Sequence, residues 1–296
     1  MWSLRDQRVD NWPLMQSFVP TLVLSGLYLI ICIFIGPALM KNRQPYEFKY
    51  LMQGYNLSQV FISAYICYEL MFTGWFSHYN WGCQAVEKDS SDSTRRMVKI
   101  SKHIIVNIFL QKNVHKSLSK PCKTFYFIIL FQMIACYLYF LNKFVEFADT
   151  FFFIARKKFR NVNRLQLIHH SIMPIYGFAL TRWLPGGHET FGGMFNCFIH
   201  VIMYGYYFLA ALGPHMQKYL WWKRHLTKLQ MIQFVCIFIK SLTVVLGFTE
   251  CGYPWQFSGL MALLMIAFLF LFAEFYVREY RSKKAALKKE NNNKVE

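Results

Sequence analysis

The chain of 296 residues carries 33 Lys and Arg against 15 Asp and Glu, a formal charge of +18, yet 55% of it is hydrophobic and only 16% is charged. Soluble domains are about a quarter charged, so this composition argues against a soluble fold and expects lipid around much of the surface. The basic residues lie in short connections between apolar runs, which argues against a nucleic-acid surface and reads as a membrane orientation signal.

The polar, mixed-charge opening residues 1–16 precede the first apolar run, and no small-residue cleavage site follows it. That run is therefore expected to remain as a transmembrane helix rather than a signal peptide. Apolar segments near the ~20 residues needed to cross a bilayer fall at 18–40, 57–76, 133–155, 165–181, 191–212, 229–248 and 255–277. The fourth is short and polar, the weakest of the seven by hydropathy. An all-α polytopic membrane protein of seven transmembrane helices follows, as a single domain over 1–296.

Connections 41–49, 156–164, 213–228 and 278–296 hold 19 Lys and Arg, against 6 in 1–16, 77–96, 182–190 and 248–254. The positive-inside rule puts the first set in the cytosol, so the N-terminus is expected outside it and the basic tail 278–296 within. Of eight cysteines, only Cys83 and Cys251 fall in the non-cytosolic connections. A disulfide can persist there, and these two are expected to pair.

Residues 98–132 are unlike the rest, with six lysines and no Asp or Glu. They end in Lys123-Thr-Phe-Tyr-Phe-Ile-Ile-Leu-Phe-Gln132, which reads like a translated polypyrimidine tract and splice acceptor. Val98-Lys99 at the other end is compatible with a splice donor. A retained intron and a natural loop with a short apolar helix both fit.

The third segment contains Lys143-Phe-Val-Glu146-Phe-Ala-Asp149-Thr150. Ionisable residues inside a membrane helix are costly, and 143, 146 and 150 share one face with 149 beside it. A structural Lys143–Glu146 pair at i,i+3 and a polar wall facing a buried site are both open. Arg156-Lys157-Lys158 follows at the cytosolic helix end. It fits either headgroup anchoring beside the helix C-terminus or contacts to a nucleotide phosphate tail.

Gln166, His169 and His170 open the fourth segment at i, i+3 and i+4, projecting from one face. The fifth segment adds Asn196, His200 and Tyr204 at i,i+4 steps, and the sixth adds Thr227, Gln230 and Gln233. Each stripe alone fits helix–helix hydrogen bonding. Together they point to a common polar chamber.

On these motifs the chain resembles the very-long-chain fatty acid elongases, membrane 3-ketoacyl-CoA synthases of the endoplasmic reticulum. The matching stretches are Lys41-Asn-Arg-Gln-Pro45, the Lys143–Thr150 run, Ile168-His-His-Ser-Ile-Met-Pro174, Pro185-Gly-Gly-His188, the stretch 196–207 and the stretch 226–234. The resemblance covers nearly the whole chain except 98–132. Joining Met97 to Met133 restores the family's spacing between its Arg-Met and Ala-Cys elements, which favours the intron reading. One departure is Gln166, where the family box usually has histidine.

The resemblance implies six helices in a barrel around a closed acyl tunnel, with the first helix outside. It implies condensation of a long-chain acyl-CoA with malonyl-CoA, with no bound cofactor and no metal. By carry-over His169 accepts the acyl group, His200 assists at the malonyl carbon, and His170, Gln166 and Asn196 orient the imidazole and stabilise oxyanions. Lys143, Glu146, Asp149, Tyr204, Gln230 and Gln233 shape the chamber. Expected partners are the lipid bilayer and the reductases and dehydratase of the elongation cycle. The alternatives are a non-haem di-iron desaturase or hydroxylase, short of ligands with seven histidines outside 98–132, and a seven-helix transporter or receptor, for which no internal repeat is visible.

Overall fold

The computed structural model describes residues 5–87, 120–248 and 251–281. Helices are α1 (Val19–Met40), α2 (Lys49–Leu70), α3 (Lys120–Val145), α4 (Phe147–Ala155), α5 (Arg164–Trp183), α6 (Thr190–Leu212), α7 (Lys223–Val245) and α8 (Trp255–Tyr276). No strand occurs among the described residues. At 1.5 Å rise per residue, a helix of 20–23 residues such as α2, α5, α6, α7 or α8 spans about 30–35 Å, the thickness of a hydrocarbon core.

Among the described residues, five helices are long and apolar enough to cross a membrane: Val19–Met40, Phe127–Ala155, Thr190–Leu212, Lys223–Val245 and Trp255–Tyr280. Helices α2 and α5 occupy the second and fourth expected segments but are more polar. Helix α2 buries Asn56, Gln59, Ser63 and Glu69, and α5 buries His170, Ser171, Thr181 and Arg182. Averaging over a window mixes these inward groups with the outward apolar ones. Hence both score poorly.

Local chemistry sets the ends. Pro20 opens the first turn of α1, and Pro254 stands just before α8. Asn163 caps α5 by accepting from the Gln166 N–H at 3.0 Å, which fixes the turn leading into the histidine pair. Helix α6 stops at Gly213, whose φ of 135° suits glycine, and Pro214 follows.

Helix α2 packs chiefly on α6 and also on α3, α7 on α8 and α6, and α5 on α3 and α8, while α1 lies against α5. The main core contains Ile66, Tyr139, Tyr176, Cys197, Phe234 and Phe268, one from each of α2, α3, α5, α6, α7 and α8. Outward faces carry large apolar side chains such as Phe34, Phe61, Ile239 and Phe270, as a lipid-facing surface requires.

Residues 98–119 of the suspected insert lie outside the described residues, as do 282–296 of the basic tail. Residues 120–132 form the first half of α3, where Ile129, Leu130 and Gln132 are buried. Cys83 and Cys251 form a disulfide with a Cα–Cα distance of 5.7 Å. Beside it lies the Pro185–His188 turn, where Gly187 (φ 73°) comes close to Tyr253, Val86 and the Gln84 carbonyl and donates its N–H to Tyr79 at 3.2 Å.

Candidate active site

A carboxylate organises the interior. Glu146, fully buried at the junction of α3 and α4, is joined to Lys143 Nζ at 2.8 Å (Oε1) and 3.1 Å (Oε2). Its Oε1 also accepts from Asn142 Nδ2 at 3.1 Å and stands 3.2 Å from His200 Nδ1. A buried ion pair survives only when its remaining lone pairs and protons are satisfied, and here four contacts meet one carboxylate. The third proton of Lys143 reaches Asn196 Oδ1 at 3.0 Å, and the ammonium lies 4.5 Å from the Tyr139 ring centroid.

Two orientations follow. Asn196 Oδ1 accepts from both Lys143 and Tyr139, the latter at 3.1 Å, so its amide N–H groups face elsewhere. Contact with a carboxylate makes His200 Nδ1 the N–H donor, which leaves Nε2 as the basic nitrogen.

Around this core stand the other sequence-predicted groups. Asp149 Oδ2 accepts from Tyr204 at 2.8 Å, and the His200 and Tyr204 rings are 5.6 Å apart. His169 and His170 lie ring to ring at 5.3 Å, and His169 also meets Phe268 at 5.1 Å. His170 is buried, whereas His169 is partly open. Gln166 donates to Thr150 Oγ1 at 3.2 Å.

Others fall at the margin. Gln230 reaches Met203 Sδ at 3.6 Å, and Gln233 is buried in α7. Arg156 points to Met52 Sδ at 3.3 Å, Lys157 donates to the Lys41 carbonyl at 3.2 Å, and Lys158 is exposed.

Sequence reasoning missed Tyr139, Asn142, Gln59 and Tyr28. Asn142 was findable, because it lies i,i+4 from Glu146, and it also donates to Gln59 Oε1 at 3.0 Å. Tyr28 was findable too, because Thr21, Ser25, Tyr28 and Cys32 form one stripe at i, i+4, i+7 and i+11 of an otherwise apolar helix, and all four are buried. Among the described residues, no three His, Cys, Asp or Glu side chains gather as metal ligands.

Among the described residues, two of the cavities bear on the site. A small apolar one of about 30 Å³ is lined by Leu70, Tyr139, Tyr176, Leu180, Leu184 and Met261 among others. A larger one of about 680 Å³ lies where the segment before α5 meets the start of α7 and the end of α8, with Arg160, Arg164, Lys223 and Arg278 on its walls beside Glu279 and Glu274, which pair with Arg160 at 2.9 Å and Arg164 at 3.1 Å.

The GNS1/SUR4 family model (ELO) matches residues 13–288. The chain belongs to the GNS1/SUR4 family. Similar proteins include a very long chain fatty acid elongase of Aedes aegypti, 39% identical over 94% of this chain and 68% of its own length. Very long chain fatty acid elongase 7 of Drosophila melanogaster is 38% identical over 93% of the chain and 73% of its own length. Very long chain fatty acid elongase 4 of Homo sapiens is 39% identical over 96% and 78%. Family and apolar helices together make this a multi-pass membrane protein.

Proposed function

We propose that this chain is a very-long-chain 3-oxoacyl-CoA synthase, condensing a long-chain acyl-CoA with malonyl-CoA to give 3-ketoacyl-CoA, CO2 and CoA. The observation that carries the mechanism is the buried Lys143–Glu146–His200 array near the His169–His170 pair.

The partly open His169 attacks the thioester carbonyl. A C–N bond forms, the C–S bond breaks, and CoA leaves with a proton. Asn196, whose oxygen is occupied, turns its N–H groups to the tetrahedral oxyanion. His170 and Gln166 hold the attacking imidazole in place. Malonyl-CoA then loses CO2, and its enolate carbon attacks the acyl carbonyl. The C–N bond breaks, and the 3-ketoacyl-CoA departs. His200 serves this second half as the acid–base group at the malonyl carbon, through the Nε2 left free by the contact of Nδ1 with Glu146. Asp149 and Tyr204, with Gln230 and Gln233 further out, complete the chamber.

The proposed architecture is seven spans, with α3 and α4 as one, and six in a barrel. The order α2–α6–α7–α8–α5–α3 returns to α2 through pairwise packing, with α1 outside. The small interior cavity of about 30 Å³ is proposed to widen for an acyl chain by movement of Met173, Met194, Met261 and Met265 in the core, which are flexible enough to yield. The nucleotide end of CoA is assigned to the basic rim, from Arg156, Lys157 and Lys158 to the cavity at Arg160, Arg164, Lys223 and Arg278. That rim faces the cytosol of an endoplasmic reticulum membrane, with the N-terminus lumenal. Reductases and a dehydratase of the cycle would take the product onward.

Residues 98–132 are proposed to be a translated intron, with Met97 joined to Met133 in the working enzyme. The purified chain, with and without 98–132, is tested by malonyl-CoA-dependent chain growth on a panel of acyl-CoAs. Two-carbon extension supports the assignment, and no product from either form on any substrate sinks it. Transcripts keeping 98–132 in frame across tissues would end the intron reading.

A further inference from the structure

Helix α1, outside the circuit of the other helices, nevertheless sends one side chain into the site. Tyr28 is 1% exposed, stacks on Phe147 at 4.2 Å and stands 6.3 Å from the His170 ring. Its hydroxyl lies 2.8 Å from Thr150 Oγ1, the atom to which Gln166 Nε2 donates at 3.2 Å. Thr150 is fully buried. A hydroxyl oxygen has two lone pairs, so the Tyr28 phenol and the Gln166 amide can fill both. Each donor then fixes the direction left for the other. Gln166 lies one helical turn before His169 and His170 on the same face of α5.

We propose that Tyr28 is a positioning residue for the condensation. Through Thr150 it locks the Gln166 amide with Nε2 turned to α4, so that Oε1 faces the histidine pair as a fixed acceptor. This is how a box with glutamine at its first position holds the imidazoles in register. It also gives the peripheral helix a role in turnover as well as in anchoring.

The inference rests on the proposed role of the Gln166–His170 box, and the experiment separates the two. Full-length protein in nanodiscs is assayed for CoA release from acyl-CoA without malonyl-CoA, for kcat and KM in full turnover, and for the folded fraction. Tyr28→Phe and Thr150→Val should each slow CoA release about five- to tenfold, with KM for acyl-CoA within about twofold, while Thr150→Ser stays near wild type. In a Gln166→Ala background, Tyr28→Phe should add less than about twofold, because the chain it acts through is already broken. A purely structural tyrosine would give additive losses that follow the folded fraction. That result, or a Tyr28→Phe enzyme of wild-type rate, overturns the proposal. His169→Ala with full activity would instead overturn the reading of the box itself.

Discussion

Two regions of the molecule bury a histidine beside a glutamate, and they differ in what holds the ring. Near the start of α6, His188 is paired through Nε2 to the Lys240 carbonyl at 3.0 Å and packs against Trp75 and Tyr253. The neighbouring Glu189 is held by Ser258 at 2.6 Å, not by the histidine. About 15 Å further along α6, at 1.5 Å per residue, His200 faces Glu146, which is neutralised by Lys143. A backbone carbonyl fixes a ring without changing its basicity much. A carboxylate accepting from Nδ1 fixes the tautomer and leaves Nε2 free to face a reactant. Under the proposed mechanism the partner, not the residue type, separates the structural His188 from the reactive His200.

The sharpest way to break this comparison is to remove each ring. His200→Ala should lower condensation about 10²- to 10⁴-fold, whereas His188→Ala should keep kcat within about threefold per folded molecule, read by radiolabelled malonyl-CoA incorporation. Equal losses would erase the distinction.

Next in size is the cost of the ion pair. Lys143→Met leaves Glu146 buried and uncompensated, so thermal unfolding in detergent should show a loss of about 3–5 kcal/mol. The double variant Lys143→Met/Glu146→Gln should recover most of that stability but none of the activity. Recovery of both would mean that the pair only holds helices together.

Smaller still is an effect on product length. Met261 lines the interior cavity near Glu189, so Met261→Trp should shorten the longest product by about one two-carbon round, seen by gas chromatography of product esters. An unchanged profile would move the chain terminus elsewhere.

The mildest effect is on pH-dependent stability. Burial pushes the Glu189 carboxyl up from 4.5 to about 7 and the His188 imidazole down from 6.5 to about 4. The folded form therefore holds an extra proton on Glu189 between these limits, and stability from that group falls as pH rises through about 7. His188 acts oppositely, its contribution being present above 6.5 and lost as pH falls toward 4. Between pH 6.5 and 7.5 the melting temperature of the wild type should fall relative to that of Glu189→Gln, and parallel profiles would remove Glu189 from the account.

Much of this was legible in the sequence because membrane helices must place costly polar groups inward. The Lys143–Thr150 run and the Gln166–His170 box stood out for that reason, and Asn196, His200 and Tyr204 share one stripe of α6. Less legible were the groups that meet across helices. Gln59 and Tyr28 take their meaning from Asn142 and Thr150, more than 80 and 120 positions away, and no local period records such contacts. Helix α2 begins at Lys49, eight positions before the expected segment, because its first turns are polar and hide behind the hydropathy threshold. The basic run at 156–158 was easy to see, but Arg156 and Lys157 turn to Met52 and the Lys41 carbonyl, while the larger cavity draws its charged lining from three separate segments.

The central claim is that His169 carries the acyl group. Incubating the enzyme with acyl-CoA in the absence of malonyl-CoA, followed by peptide mapping by mass spectrometry, tests it most directly. An acyl adduct is expected on His169 that disappears when malonyl-CoA is added and is absent from His169→Ala. An adduct on another residue, or full condensation by His169→Ala, would contradict it.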